Sequence, residues 1–120
     1  MKANSRAAVA YIAARLISGQ NSSSVYDYSR SKYISIGGTV TRAHVQIFDY
    51  DQSAHIAGNG NGRSFSLFHY GEGSHISLTI SGRGFQGFDY GTGSNFSGTV
   101  AGRSVTFYDY QEGMYFNFSI

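Results

Sequence analysis

The 120-residue chain is predicted to be an all-β domain with one N-terminal α-helix, built from a repeat of about twenty residues. Three observations predict this class. A triplet of an aromatic residue, an acid and a tyrosine recurs along the chain, and apolar and polar residues alternate after each copy. Glycine is abundant (16) and proline is absent, which is typical of turns punctuating a series of strands.

The length and composition indicate a single domain spanning residues 1–120. We divide it into an N-terminal helical segment, 1–21, and five strand-turn-strand repeats, 22–120. In the first segment, Asn4 or Ser5 can cap a helix and Gly19 can end it. Its apolar residues share one helical face, which predicts a helix that packs over the core: Val9, Ile12, Ala13 and Leu16.

The triplet marks five copies of the repeat. They begin at Tyr26, Phe48, Phe68, Phe88 and Tyr108. Each of the last three copies is followed by a turn with glycine at its third position, as expected for a left-handed residue. These glycines are Gly73, Gly93 and Gly113. An alternating strand follows, and a Gly-Arg pair marks the next tight turn at 62–63, 82–83 and 102–103.

Two architectures fit this repeat. In a β-solenoid capped by the helix, each repeat forms one coil, and a corner sends both Leu67 and Phe68 inward. In the alternative, a ten-stranded antiparallel meander or barrel, those two neighbours point to opposite faces unless a bulge intervenes. The solenoid is the favoured interpretation, because it buries every large apolar residue and uses the helix as its cap. The buried set includes the aromatic columns, by which we mean the first and third residues of successive triplets.

One segment, residues 65–78, has the sequence FSLFHYGEGSHISL. It resembles the strand-turn-strand unit of curli-type fibre subunits, which also place Gly-x-Gly before the second strand. The resemblance covers the shape of the repeat, and the Gln and Asn ladders of that family are not present. It therefore implies an analogy in assembly.

Composition excludes several classes of function. There is no cysteine, so disulfides and thiolate sites are ruled out. The net charge of +2 is too small to indicate a nucleic-acid partner, and no apolar stretch approaches the length of a membrane span. No cofactor is indicated. A convincing signal peptide is missing too, which leads us to expect a cytoplasmic protein.

The candidate ligand or partner face consists of repeated polar positions, which are expected to point outward: Asp49, His69, His75, Asp89 and Asp109. A repeated residue usually serves the repeat, whereas catalysis needs a singular, convergent set of groups. No catalytic or metal-binding residue is therefore assigned. His69 is the one substitution of the repeated acid within the triplet.

The C-terminal strand is the most aromatic one, and nothing follows it to cover it. An open edge strand tends to pair with another chain. We therefore expect a homo-oligomer formed through the C-terminal strand, with these candidate self-association residues: Tyr115, Phe116, Phe118 and Ile120.

These observations predict a non-enzymatic structural or self-assembling protein that acts through oligomerisation or protein binding. The alternative is a carbohydrate-binding module that uses the repeated Asp, His and Tyr face, with a glycan or a protein as ligand. A third possibility is an enzyme with a pocket near His69 and His75.

Overall fold

The computed structural model describes residues 1–120 and contains one helix and ten strands. The helix is α1 (Ala3–Ser18). The strands are β1 (Ser24–Asp27), β2 (Lys32–Val40), β3 (His44–Asp49), β4 (Ala54–Gly60), β5 (Ser64–His69), β6 (Ser74–Ser81), β7 (Gly84–Asp89), β8 (Ser94–Ala101), β9 (Ser104–Asp109) and β10 (Met114–Ser119). The all-β class with one N-terminal helix is confirmed.

The strands form a closed antiparallel barrel in which each strand pairs with its neighbours in sequence and β1 pairs with β10. The closing seam matches Tyr26 with Ser119 and Asp27 with Phe118. The solenoid prediction is therefore wrong, and the barrel given as the alternative is correct. Equivalent residues of successive repeats are separated by an intervening strand, about 10 Å in all, so the acids do not stack on one another.

Leu67 and Phe68 do not both point inward, as the solenoid required. Leu67 points into the barrel and is fully buried, whereas Phe68 points outward and is half-buried. Strand β5 alternates without a break in its pairing to β6, so no bulge is required. An outward aromatic ring is tolerated because other rings cover it.

Helix α1 lies inside the barrel and is not an end cap. All residues from Ser5 to Ala14 are buried, so the helix is enclosed on every side. Alanine dominates this stretch because a small side chain lets the backbone fit within the wall of strands. The structure contains no helix that is long and apolar enough to span a membrane.

The C-terminal end of the helix was predicted correctly, and its N-cap was not. Gly19 ends the helix in the left-handed conformation (φ 70°), and its N–H donates to the Arg15 carbonyl, as expected. The N-cap prediction is wrong, since Lys2 occupies that position without a side-chain cap. The Asn4 side chain instead donates to Asp49 at the barrel wall.

The core between β7 and β10 is rich in phenylalanine. The rings of Phe96 and Phe107 stack with centroids 5.4 Å apart and 14° between their planes. Phe85 packs on Phe107 at 5.8 Å. Glycine on the neighbouring strand leaves room for these rings, since a Cβ at Gly98 would lie 2.3 Å from Phe85 Cζ.

The turn glycines behave as predicted. Gly73, Gly93 and Gly113 are each left-handed with φ 66°. The corresponding turns of the first two repeats place serine in the same region, with φ 51° at Ser31 and 54° at Ser53. A non-glycine residue is strained there.

Charge separates along the barrel axis. All seven Asp and Glu residues lie at the ends of the odd-numbered strands or in the turns that follow them, and the helix begins at this end. We call it the carboxylate end. The four turns at the opposite end each carry an arginine, and we call it the arginine end: Arg42, Arg63, Arg83 and Arg103.

Candidate functional site

The outer wall near the carboxylate end carries five aromatic clusters, one for each repeat. In each cluster the first and third residues of the triplet point outward with their rings in edge-to-face contact. The centroid distances are 4.8 Å for Tyr26–Tyr28, 4.9 Å for Phe48–Tyr50, 4.8 Å for Phe68–Tyr70, 4.8 Å for Phe88–Tyr90 and 4.7 Å for Tyr108–Tyr110. We call these clusters together the aromatic band.

The facing strand of each hairpin completes the cluster. Its residue lies directly opposite the first ring of the triplet, in the pairs Tyr26–Tyr33, Phe48–His55, Phe68–His75, Phe88–Asn95 and Tyr108–Tyr115. Four of these five pairs bring two rings to between 4.7 and 4.9 Å. The third residue of each triplet lies at the surface, and these tyrosines are 57–63% exposed.

The prediction that the aromatic columns form the core is therefore wrong. The core is formed by the alternating residues on the other face of each strand, together with the helix. The half-buried first ring covers the wall, and the exposed tyrosine leaves its ring edge and hydroxyl accessible to solvent. Exposed tyrosines repeated at one height on a wall are typical of a binding surface.

Two shallow grooves cross the wall between β6 and β10, and Tyr110 lines both. One, of about 510 Å³, is lined by Gln86, Asn95 and hydroxyl-bearing residues. The other, of about 700 Å³, is lined by Tyr108, Tyr115 and threonine and serine side chains. Neither groove contains a charged side chain, so both present neutral hydrogen-bonding groups beside aromatic rings.

The acids of the predicted face point into the barrel instead of outward. Asp49, Asp89 and Asp109 are between 0 and 5% exposed. Each accepts a hydrogen bond from the backbone N–H two residues ahead, at 2.9 to 3.0 Å. This contact fixes the turn that follows the strand, so the repeated acid serves the repeat and is unavailable to an external ligand.

His69 and His75 lie on opposite faces of the barrel wall. His69 is fully buried inside, and its Nδ1 accepts the N–H of Glu72, three residues ahead, at 3.2 Å, whereas the acids accept the N–H two residues ahead. Its Nε2 is buried and has no partner. Burial lowers the pKa of His69, and the charges of Glu72 and Asp49 offset only part of that effect. His75 belongs to the aromatic band.

The carboxylate end is neutralised by the start of the helix. The Met1 amino group and the Arg6 guanidinium lie 3.0 and 3.1 Å from the same Asp109 oxygen, and the Met1 amino group and Asp109 side chain are fully buried. Burial alone raises the pKa of Asp109, but the hydrogen bond and charge of the Met1 amino group outweigh it, so the pKa is lowered. The positive end of the helix dipole also faces these acids.

The residues of the predicted self-association site are divided between the surface and the core. Tyr115 is 65% exposed, whereas Phe116 and Phe118 are buried and Ile120 is half-buried. Strand β10 pairs with β9 on one side and β1 on the other, so it has no open edge. The premise for pairing through that strand is therefore wrong.

Sequence reasoning did not assign Tyr50, Tyr70, Tyr90 and Tyr110 to the site, although it identified their columns. Nothing in the sequence indicated the positive charge that faces the repeated acid inside the barrel. The Met1 amino group and Arg6 at the head of the helix supply positive charge that allows the Asp109 carboxylate inside the barrel, and the alternation then forces the flanking aromatic residues outward.

No group of three or more His, Asp or Glu side chains is arranged to hold a metal ion. Comparison with protein families, with curated proteins and with solved structures finds no match for this chain.

Proposed function

We propose that this protein is a non-enzymatic binding module whose aromatic band and adjoining grooves bind a neutral carbohydrate. The observation that carries the proposal is the position of Tyr110. Its ring is 57% exposed and lines two grooves whose other walls are uncharged hydroxyl, amide and aromatic groups.

This chemistry matches the two faces of a sugar. A pyranose ring presents C–H groups, which pack on an aromatic ring, and a rim of hydroxyls, which exchange hydrogen bonds with amides and hydroxyls. Gln86 and Asn95 supply amides in the first groove, and Thr106 supplies a hydroxyl in the second. The absence of charge in the grooves favours a neutral sugar over an acidic one.

Because the clusters are repeated around the barrel, the surface can also bind one ligand at several points. Five clusters surround one barrel, so a polymer of repeated sugar units can contact more than one of them. Linked weak contacts raise the apparent affinity without any single deep pocket. We therefore expect longer oligosaccharides to bind more tightly than short ones.

The test is an array of neutral oligosaccharides followed by calorimetry on the best ligand. Tyr110→Ala is expected to weaken binding about tenfold, because it removes a stacking ring from both grooves. The comparison is made with a disaccharide, which is too short to span two clusters, and Tyr50→Ala is then the matched control, since Tyr50 is 61% exposed but lines neither groove. Failure of every glycan to bind, or equal losses in both variants, contradicts the groove proposal.

Self-association is the second candidate, and a different observation favours it. The two clusters that flank the closing seam consist only of tyrosine: Tyr26, Tyr28 and Tyr33 on one side, and Tyr108, Tyr110 and Tyr115 on the other. Met114 beside them is 51% exposed. Tyrosine and methionine are enriched in protein interfaces.

This second candidate is tested by light scattering at micromolar concentration. A dimer that becomes monomeric in Tyr33→Ser with Tyr115→Ser supports association through the seam. A monomeric wild-type protein contradicts it.

A further inference from the structure

The arginine end carries positive charge without any neutralising carboxylate side chain. Its four arginines, one on each turn, are all exposed, and every Asp and Glu of the chain lies at the other end of the barrel. The repeat places these arginines two strands apart, about 10 Å along the rim. They therefore form a partial ring, open beside the β1–β10 seam, at one end of a barrel that measures 30 Å across.

Three of these arginines have no partner within the protein. The guanidinium groups of Arg42, Arg63 and Arg83 form none of the ion pairs and none of the hydrogen bonds of the structure. Arg103 is already engaged, since it donates to the main-chain oxygens of Ile120 and Asn21 at 2.8 Å each and to the Gln20 side chain. At least three guanidinium groups are therefore free to bind an external anion.

Apolar side chains lie beside these arginines. One cleft of about 440 Å³ is lined by Arg42 and Arg63 together with Leu16, Ile17 and Ile80. A second cleft of the same volume is lined by Arg83 and Arg103 together with Ile17 and Val100. Each cleft thus combines two cations with apolar contacts next to the end of the buried helix.

We propose that the arginine end docks on a membrane surface rich in anionic lipid headgroups. The three free arginines stand on neighbouring turns of one end of the barrel and can contact a planar anionic surface together, and the Arg-lined clefts can receive headgroups together with the apolar atoms beside them. A linear polyanion contacts only part of the ring. Its charged backbone gains nothing from apolar contact with Ile17 or Leu16. The helix C-terminus disfavours anions, but its partial charge is smaller than that of the arginine ring.

A second copy of the chain is a poorer partner for this surface. The acids Asp27, Asp49, Asp89 and Asp109 are buried at the carboxylate end. Among the acids nearer the surface, Asp51 pairs with Lys32 and Glu72 with Lys2, which leaves Glu112 as the one exposed acid without an ion pair. Little free negative charge remains there to dock on the arginines of another molecule.

The experiment is co-sedimentation with vesicles of phosphatidylcholine, either alone or with about one third phosphatidylserine. The wild-type protein is expected to bind only the vesicles that contain phosphatidylserine. Arg63→Gln with Arg83→Gln is expected to reduce this binding about 25-fold, from roughly fivefold per arginine. Both positions are exposed turns, and thermal unfolding by circular dichroism checks that the variant folds.

The control is Lys2→Gln with Lys32→Gln, which removes the same charge from the other end of the barrel, where both lysines are exposed. It is expected to bind almost as well as the wild type. The proposal is overturned if no vesicle binds, if both lipid mixtures bind equally, or if both variants lose the same affinity. It is also overturned if duplex DNA binds more tightly than the vesicles and the arginine variant abolishes that binding, because the partner is then a nucleic acid.

Discussion

The N–H of Glu72 donates to Nδ1 of His69 at 3.2 Å, and in every other repeat the middle residue of the triplet instead accepts a turn N–H, two residues ahead, with a carboxylate. Since Nδ1 accepts, the proton of the neutral ring is on Nε2, which is buried and has no partner. His69 therefore holds the turn without a charge, and protonation would place a cation in the interior.

This arrangement makes stability depend on pH near neutrality. The folded-state pKa of His69 lies below its ordinary value of 6.5, chiefly because of burial. As pH falls below that value, the unfolded chain takes up a proton that the folded chain does not, so the folded state is destabilised until the folded pKa is reached. We expect the urea midpoint of the wild type to fall between pH 7.5 and 5.5.

The matched variant is His69→Asn, whose side-chain oxygen can accept the same N–H but does not titrate. Its midpoint is expected to fall less over the same interval, with His44, His55 and His75 unchanged in both proteins. Parallel pH dependence in the two proteins would show that His69 is not responsible.

A second prediction concerns the buried charge cluster at Asp109. Asp109→Asn keeps an oxygen for the turn N–H groups but leaves the Met1 amino group and Arg6 without their counter-charge. Breaking a buried pair from one side costs about 3–5 kcal/mol in the free energy of unfolding. Urea denaturation measures it, with Asp51→Asn as the control, because its pair with Lys32 is at the surface and is worth about 1 kcal/mol or less.

The same cluster predicts acid sensitivity. The folded-state pKa of Asp109 is below the ordinary value of 3.8, so the stabilisation from this group is complete above that value and is lost as pH falls through the folded pKa. In Asp109→Asn the loss of stability between pH 4.5 and 2.5 is expected to be smaller than in the wild type. An equally steep acid transition in that variant would assign the effect to other acids.

A third prediction uses the irregular turn at Ser53. Ser53 has φ 54° at the position where later repeats have Gly73, Gly93 and Gly113. Ser53→Gly removes a left-handed penalty of about 1–2 kcal/mol, less the greater entropy of glycine in the unfolded chain. We expect a net gain of about 0.5–1 kcal/mol, seen as a Tm a few degrees higher. The reverse change, Gly93→Ser, should lower the Tm; a rise would refute the strain at this position.

A fourth prediction concerns the packing of glycine against phenylalanine. A Cβ at Gly98 would lie 2.3 Å from both Phe85 Cζ and the Thr106 carbonyl oxygen, and the oxygen belongs to the backbone. Gly98→Ala is expected to lower the free energy of unfolding by about 3 kcal/mol. Gly84→Ala is the control, since its nearest neighbour there is 3.4 Å away. Equal stability of the two variants would mean that the wall adjusts around Gly98.

Much of the wall could be predicted from the sequence because each strand obeys a local rule. Alternation located the strands, and glycine at positions such as Gly93 located the turns and their left-handed residues. The direction of each triplet could not be read locally. Whether Asp89 or Phe88 points inward depends on what fills the barrel, and that is decided by a helix more than sixty residues away.

The distribution of alanine around the helix indicates burial on every side, which the assignment of a single apolar face did not take into account. Ala7, Ala8, Ala10 and Ala14 are distributed around the helix, so no side of it is polar between Ala7 and Ala14. Such a helix is typically enclosed. The aromatic band then follows, since an interior occupied by a helix has no space for the aromatic columns.

The enclosed helix also constrains the order in which the chain acquires its structure. Each hairpin joins strands adjacent in sequence and can form early and quickly, because little chain must be closed into a loop. The Met1–Asp109 contact joins residues 108 positions apart, and the β1–β10 seam joins the two ends of the wall. The wall must wrap around the helix before that seam closes, so we expect closure of the β1–β10 seam around the helix to be the slowest step of folding.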